Sequence, residues 1–298
     1  MNLHYYKPVV LCFFNVNTGT MIWNRILTFI IGVNVCAWAG GWVANGIDAE
    51  NPALQAGGVF FMSMSPLLMA FILKKIDKED WSKAGLKFRF SENKKWYLLS
   101  FFLPLIMIFF VIGLSFLSES VMLIDTFGSD LPKILGTSAG LFLAFFVGAI
   151  GEEFGWRGYF ESTLYKVNKS IVGNHIIVGI VWFAWHLPLL VLTPGASTSF
   201  PELFMIMIGV LALAIIYGQL RIISGTVWTC VLLHGASNAF TIGFGSANVL
   251  EIEEGFNTII SLSSSSVAVV SFWVIVSISM LALFLKRSKE IVANEAAS

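Results

Sequence analysis

Charged residues are scarce in this sequence. They make up 12% of its 298 residues, whereas hydrophobic residues make up 57%. Soluble globular domains carry roughly 25% charged residues, so the composition excludes an ordinary soluble domain and predicts a polytopic membrane protein with the lipid bilayer as a partner. The formal net charge is +0, and no basic stretch is interleaved with aromatic residues. Binding to nucleic acid is therefore not expected.

Cysteine is also scarce. The three cysteines, Cys12, Cys36 and Cys230, are scattered along the chain and form no Cys-x-x-Cys pair. Cys36 and Cys230 lie in apolar runs, where a free thiol usually packs as a small hydrophobic group. The sequence therefore predicts neither a disulfide framework nor a cysteine metal site. Internal repeats, coiled-coil heptads and a glycine-rich phosphate loop are missing as well, which favours a single membrane domain.

Long apolar runs are abundant, in contrast. Each is about long enough to cross a bilayer as a helix, which needs roughly 17–25 residues. The eight runs are 26–44, 53–73, 96–117, 134–150, 176–192, 203–220, 225–244 and 267–285. They predict an all-α bundle of about eight transmembrane helices.

The runs divide the chain into four parts. Residues 1–20 hold only a short apolar piece and are interpreted as a disordered extension or a misassigned start. Residues 21–133 carry the first three helices, 134–246 the next four, and 247–298 an outer loop, the last helix and a tail. This division places the residues with chemical potential in the part 134–246.

Basic residues are distributed unevenly among the connections. With the N-terminus placed in the cytoplasm, the outer loops hold one cation, Lys133, and half of the 18 acidic residues. Positive charge near the ends of spans sets orientation, so we expect both termini in the cytoplasm and the protein in the cell membrane. The basic segment 74–95 is interpreted as a solvated cytoplasmic loop, with an amphipathic element on the inner leaflet as the alternative.

Polar groups that could carry chemistry occur at only a few places in the apolar runs. An ionisable residue inside a membrane is a functional-site candidate, because its burial near the centre of a helix costs about 2.5–3.5 kcal/mol. Three different helices carry such groups, which predicts one polar cavity in the bundle. The residues are Glu152, Glu153 and Arg157 after the fourth run, His186 in the fifth, and His234 and Asn238 in the seventh.

Helical spacing assigns these groups to faces. Glu153 and Arg157 are four residues apart and can pair, whereas Glu152 is rotated by about 100° and stays free of that pair. For Glu152 to reach the depth of the histidines, the fourth helix must continue toward Lys166. A carboxylate, two imidazoles and a carboxamide can activate a water and stabilise an oxyanion. No serine or cysteine beside a base completes this set, so direct attack by water is predicted.

Three motifs on successive helices resemble those of the CAAX protease and bacteriocin-processing family, also called the CPBP or Abi family. The motifs are Glu152-Glu153-xxx-Arg157, Trp182-xxx-His186 and His234-xxx-Asn238, within about residues 141–244. The resemblance implies an intramembrane endopeptidase of the CAAX prenyl protease type, built as an eight-helix bundle whose cavity opens to the cytoplasmic leaflet. Trp182 stands where the family commonly has phenylalanine.

The resemblance also implies roles for these residues. Glu152 would activate water together with His186, while His234 and Asn238 would stabilise the oxyanion. Glu153 and Arg157 would order the site, and Trp182 would bind a membrane-associated peptide or protein substrate. No cofactor is expected. Zinc held by Glu152, His186 and His234 is the alternative, which the lack of a His-Glu-x-x-His helix disfavours.

A function other than proteolysis remains open from the sequence. The same polar cavity would suit a transporter, and the same fold would suit a scaffold or an immunity protein. Many transporters are built from two repeated halves with a matched pair of broken helices. The sequence shows neither feature, which disfavours a transporter.

Overall fold

The computed structural model of the protein describes residues 16–48, 50–168, 170–193 and 199–296. These residues form mainly helices, and the predicted all-α membrane bundle is confirmed. The helices are α1 (Val16–Asn45), α2 (Pro52–Asp77), α3 (Phe90–Ser115), α4 (Phe127–Gly155), α5 (Glu161–Leu164), α6 (Ile171–Leu192), α7 (Phe200–Ser224), α8 (Trp228–Ser246) and α9 (Val267–Ala296). Two short strands, β1 (Val121–Leu123) and β2 (Leu250–Ile252), pair in antiparallel fashion.

The predicted extension 1–20 is only partly within the described residues. Residues 1–15 lie outside them, and residues 16–20 form the beginning of α1. The first helix thus starts before the apolar run 26–44 from which it was predicted.

Seven stretches of the described chain are long and apolar enough to cross a membrane. They are Gly19–Asn45, Pro52–Asp77, Phe90–Ser115, Phe127–Leu164, Ile171–Leu192, Phe200–Ser224 and Val267–Lys286. The predicted run 225–244 forms α8, which has 19 residues but is more polar because it carries His234 and Asn238. Since α8 packs against α3, α4 and α7, neighbouring helices cover much of this polar helix.

Local sequence signals set the ends of the helices that form the site. Ser170 caps α6 by accepting a hydrogen bond from the Gly173 N–H. Ser199 and Glu202 form a capping box at the start of α7. Gly225 ends α7 in the left-handed conformation, with φ of 66°, which glycine adopts without steric cost. The turn to α8 follows directly.

The fourth helix is long and lies between α2 and α8. A π-helical turn, Trp156–Phe160, joins α4 to α5, so that one helical stretch of 38 residues runs from Phe127 to Leu164. This is the continuation past Glu152 that the depth argument required. A π-helical turn inserts an extra residue into the helix, and such turns are frequent at functional sites.

Two glycines beside the glutamate pair allow α2 to approach closely. A Cβ atom on Gly151 would lie 2.6 Å from the Ser63 carbonyl oxygen, and one on Gly155 would lie 2.5 Å from the Pro66 carbonyl oxygen. Any larger side chain at these positions would separate α2 from α4. The glycines therefore let α2 pack directly against the turn that carries the glutamates.

The segment between α2 and α3 is bound to the turn between α7 and α8. The Val227 N–H donates to the Gly85 carbonyl at 3.0 Å, and the Trp228 indole N–H donates to the Leu86 carbonyl at 2.8 Å. The Lys74 ammonium is largely buried and donates to the Asp80 carbonyl at 2.9 Å. The basic segment is therefore partly packed on the protein, which its interpretation as a solvated loop did not anticipate.

Candidate active site

The glutamate pair lies in the last turn of α4, and both side chains are buried. Glu153 is 0% exposed and Arg157, in the π-helical turn, is 1% exposed. Arg157 Nη1 lies 2.9 Å from Glu153 Oε2 and 3.0 Å from Oε1. The structure thus shows the ion pair that the spacing of four residues predicted.

His234 from α8 contacts both carboxylates. Its Nδ1 lies 2.9 Å from Glu153 Oε1, and its Nε2 lies 3.9 Å from Glu152 Oε2. An ionised carboxylate only accepts hydrogen bonds, so Nδ1 carries a hydrogen and Nε2 faces Glu152. Glu153 therefore fixes the orientation of the imidazole, in the way that carboxylates orient histidines in many active sites.

α6 brings an indole and a second imidazole to the same place. Trp182 Nε1 donates a hydrogen bond to Glu152 Oε2 at 3.2 Å. His186 Nδ1 lies 2.8 Å from the Trp182 carbonyl oxygen, which can only accept, so the unprotonated nitrogen of the neutral His186 ring is Nε2. The Trp182 ring centroid lies 5.4 Å from that of His186 and 5.6 Å from that of His234. The indole is thus in contact with both imidazoles.

Two aromatic rings hold the Arg157 guanidinium. Its central carbon lies 4.7 Å from the ring centroid of Trp182 and 4.7 Å from that of Tyr217 on α7. The same Tyr217 ring stacks on His234, with centroids 5.9 Å apart and planes at 20°. Cation–π contacts of this kind gain strength where water is excluded. Sequence reasoning missed Tyr217, because nothing distinguishes one tyrosine in an apolar run from a packing residue.

The charges of this buried set nearly balance. Glu152, Glu153 and Arg157 together leave one negative charge, and one further proton on Glu152 or His234 makes the set neutral. Since an uncompensated charge is costly in an apolar interior, the arrangement favours one proton shared between Glu152 and His234, which behave as a coupled pair. A pair that exchanges a proton is the chemical requirement for general acid–base catalysis.

The remaining predicted residues lie at the edge of this cluster. Asn238 is half-buried on α8, one turn beyond His234, and its side chain has no hydrogen bond within the described chain. His186 is half-buried and, among the residues that the structure describes, makes no hydrogen bond to either glutamate. Both side chains are therefore available to a ligand. Glu152, Glu153, Arg157, Trp182 and His234 form the contacting core of the site.

The residues named for zinc do not fit a metal site as they are arranged. In the described ranges of the chain, no three histidine, cysteine, aspartate or glutamate side chains are grouped so that they could hold a metal ion. No step below is therefore assigned to a metal.

Comparison with known families places the site in a recognised region. Residues 135–240 match the family model described as Type II CAAX prenyl endopeptidase Rce1-like. The matched stretch runs from α4 into α8 and contains every residue of the site described above. It confirms the resemblance to the CAAX protease family that the three motifs indicated. No curated protein matches the chain closely enough to count as a relative.

Proposed function

We propose that the protein is an intramembrane endopeptidase of the CAAX prenyl protease type, which hydrolyses a peptide bond in a membrane-associated peptide or protein. The observation that carries this proposal is the environment of Glu152. The carboxylate is 6% exposed, accepts the Trp182 N–H at 3.2 Å and faces His234 Nε2 at 3.9 Å. A protein that used these helices only for packing would have no need of this set. The match to a peptidase family supports the same conclusion.

Glu152 is proposed as the base that activates water. The Trp182 indole occupies one acceptor position of Oε2, and the remaining lone pairs of the carboxylate can take a proton from a bound water. His186 Nε2 offers a second acceptor for the same water. The resulting hydroxide adds to the carbonyl carbon of the scissile peptide bond and forms a tetrahedral intermediate.

His234 and Asn238 are proposed as the donors that stabilise the oxyanion. For this role His234 carries the shared proton on Nε2, and Glu152 is then ionised and able to act as the base. The Asn238 amide, one turn away, supplies a second donor. Each oxyanion donor typically contributes about 2.7–4 kcal/mol to the lowering of the barrier.

The second half of the reaction returns the proton. The intermediate collapses, the carbon–nitrogen bond breaks, and the proton taken up by Glu152 passes to the leaving amine. The products are a carboxylic acid and an amine, which become a carboxylate and an ammonium by proton transfer between them, and the site regains its starting charge. Glu153 and Arg157 do not touch the reacting atoms in this scheme. They hold His234 in the required orientation.

The loop charges support an orientation for the protein. We place both termini in the cytoplasm and the chain in the cell membrane, because cations are concentrated in the connections on that side. The glutamate pair follows the apolar part of α4 on the same side. The substrate would therefore reach Glu152 from the cytoplasmic leaflet.

The proposal is tested with purified protein in lipid nanodiscs. Peptides that end in a CAAX sequence, each with and without a farnesyl group, are incubated with the protein and analysed by mass spectrometry. We expect release of the last three residues. A protein that cleaves none of these peptides, nor any other membrane peptide offered, would favour a transporter or scaffold instead.

A second arm of this experiment decides the role of metal. The protein is treated with a chelator until metal analysis shows none bound, and cleavage is measured again. Unchanged activity agrees with glutamate-activated water. Activity that disappears and returns with zinc would replace this scheme with a metal-dependent one.

A further inference from the structure

A second buried polar cluster lies further along the same helices. It consists of Glu161 on α5, His175 on α6 and Gln219 on α7, which are 2%, 0% and 0% exposed. Glu161 Oε1 lies 2.5 Å from His175 Nδ1, and Gln219 Nε2 lies 3.1 Å from His175 Nε2. Sequence reasoning did not select these residues, because only side chains within the recognised motifs were given a role.

This cluster is too deeply buried to meet a substrate. A buried carboxylate–imidazole pair is costly to desolvate and is weak evidence for a gain in stability. Such a pair is more informative about geometry, since its members are held at fixed positions by directional hydrogen bonds. Its position relative to the candidate active site is therefore the relevant observation.

Each helix of the cluster also carries a residue of the candidate site. On α6, His175 precedes Trp182 by seven residues, which places both on one helix face. On α7, Gln219 follows Tyr217 by two residues. The intervening Gly218 allows α7 to approach closely, because a Cβ atom there would overlap the His175 ring and lie 2.8 Å from Glu161 Oε1. The cluster thus fixes the helices that present the two rings around Arg157.

The helical stretch from α4 through α5 links the cluster electrostatically to the candidate active site. Glu153, Arg157 and Glu161 follow one another at intervals of four residues. Arg157 Nε and Nη2 and Glu161 Oε2 are buried and have no hydrogen-bond partner in the described part of the chain. The two donors belong to the Arg157 guanidinium, and the acceptor belongs to the Glu161 carboxylate one helical turn away. Glu161 therefore attracts Arg157 from the side opposite to Glu153.

We propose that Glu161, His175 and Gln219 are positioning residues of the candidate active site, acting through Arg157. They hold α5, α6 and α7 so that Trp182 and Tyr217 enclose the guanidinium. Arg157 then keeps Glu153 in place, and Glu153 orients His234. This inference deepens the peptidase proposed above and rests on it for its kinetic consequence.

Kinetics of Glu161→Gln provide the first test. Glutamine keeps the shape of the side chain and removes its charge. We expect kcat to fall about tenfold while KM stays within about twofold, because the substrate does not touch the cluster. In an Arg157→Lys background the same change should have a much smaller effect. Ser138→Ala is the matched control, since Ser138 is a buried polar residue of α4 whose hydroxyl, among the residues that the structure describes, bonds only to the Ile134 carbonyl of its own helix. Full additivity of the two changes, or an unchanged kcat in Glu161→Gln, would overturn the inference.

Histidine NMR provides a second test that needs no cleavage. The chain has only 4 histidines, so ¹⁵N-histidine labelling gives a spectrum that single variants can assign. We expect Glu161→Gln to shift the ring signals of His234, which it does not contact, in addition to those of His175. Signals that move for His175 alone would show a local role and contradict the inference.

The two measurements separate the inference from the proposed function. If the wild type cleaves no peptide but the His234 signals respond to Glu161→Gln, the positioning role stands and the peptidase does not. If cleavage is seen and His234 does not respond, the peptidase stands and the positioning role does not. Should Glu161→Gln fail to fold, Gln219→Leu removes one hydrogen bond to His175 without changing charge. It should shift His234 in the same way with a smaller amplitude, and no shift would refute the role.

Discussion

The indole of Trp182 is the most specific feature of the site, because a phenylalanine at this position would have no N–H to donate to Glu152. Trp182→Phe keeps an aromatic ring beside Arg157, and removes the hydrogen bond to Glu152 Oε2 together with part of the ring volume. Hydrogen bonds to charged groups contribute about 1.5–3 kcal/mol. The donor–acceptor distance of 3.2 Å is at the long end of the normal range for hydrogen bonds. We therefore expect the variant to lose about 1.5 kcal/mol of interaction free energy with Glu152. If the bond holds the carboxylate in its reactive orientation, kcat/KM falls about tenfold.

A matched variant exists on the same helix. Trp185 Nε1 donates to Ser65 Oγ, also at 3.2 Å, but its partner is neutral and belongs to α2. Trp185→Phe should lose a similar bond and similar volume while kcat/KM for peptide cleavage changes little, because phenylalanine still offers a ring for the edge-to-face contact of Trp185 with His186, whose ring centroids are 4.8 Å apart. Both variants are compared by peptide cleavage and by thermal unfolding in the same nanodiscs. Equal activity of Trp182→Phe and wild type, or an equal loss in Trp185→Phe, would refute a specific role for the Trp182 N–H.

Three further predictions follow from contacts in and around the site. Glu153→Gln leaves the buried guanidinium without its carboxylate and should lower the free energy of unfolding by about 3–5 kcal/mol, measured by chemical denaturation. Gly155→Ala forces α2 away from α4 and should lower the free energy of unfolding by about 1–3 kcal/mol. The control is Gly113→Ala, whose added Cβ would meet no atom within 4 Å and which should leave the free energy of unfolding unchanged. For Glu79, burial raises the pKa but the hydrogen bond and charge of Lys166 outweigh it, so the pKa lies below its ordinary value of 4.5. Because the folded pKa is lowered, this carboxylate stabilises the protein above pH 4.5 and loses that effect as the pH falls through the folded pKa. Glu79→Gln should therefore cost less than about 1 kcal/mol at pH 7 and nothing in acid.

Local rules were sufficient for much of this molecule. Apolar runs of spanning length gave the helical bundle, because a chain in lipid must satisfy its backbone hydrogen bonds within helices. The pairing of Glu153 with Arg157 was predictable because residues four apart on a helix are neighbours. The need to bury Glu152 at the depth of the histidines gave the continuation of α4, although not the π-helical turn within it.

Contacts between distant helices could not be read from the sequence. Spacing along α8 gives the common face of His234 and Asn238 but not the rotation of α8 relative to α4, so the contact of His234 with Glu153 was not foreseen. Tyr217 acquires its role only because α7 crosses beside Arg157. α8 was predicted from the run 225–244, but the sequence did not show that α3, α4 and α7 would surround this more polar helix.

The most direct test of the central claim is the cleavage rate of Glu152→Gln under single-turnover conditions. Glutamine has nearly the same shape and can still accept the Trp182 hydrogen bond, but it cannot take a proton from water. Because general acid–base catalysis typically contributes about 10²–10⁴-fold, the account predicts a loss of that size. The thermal unfolding temperature and the histidine spectrum should remain close to those of the wild type, apart from the signals of His234. This similarity would show that the variant is folded. A folded Glu152→Gln protein that cleaves peptide at the wild-type rate would contradict the assignment of Glu152 as the base.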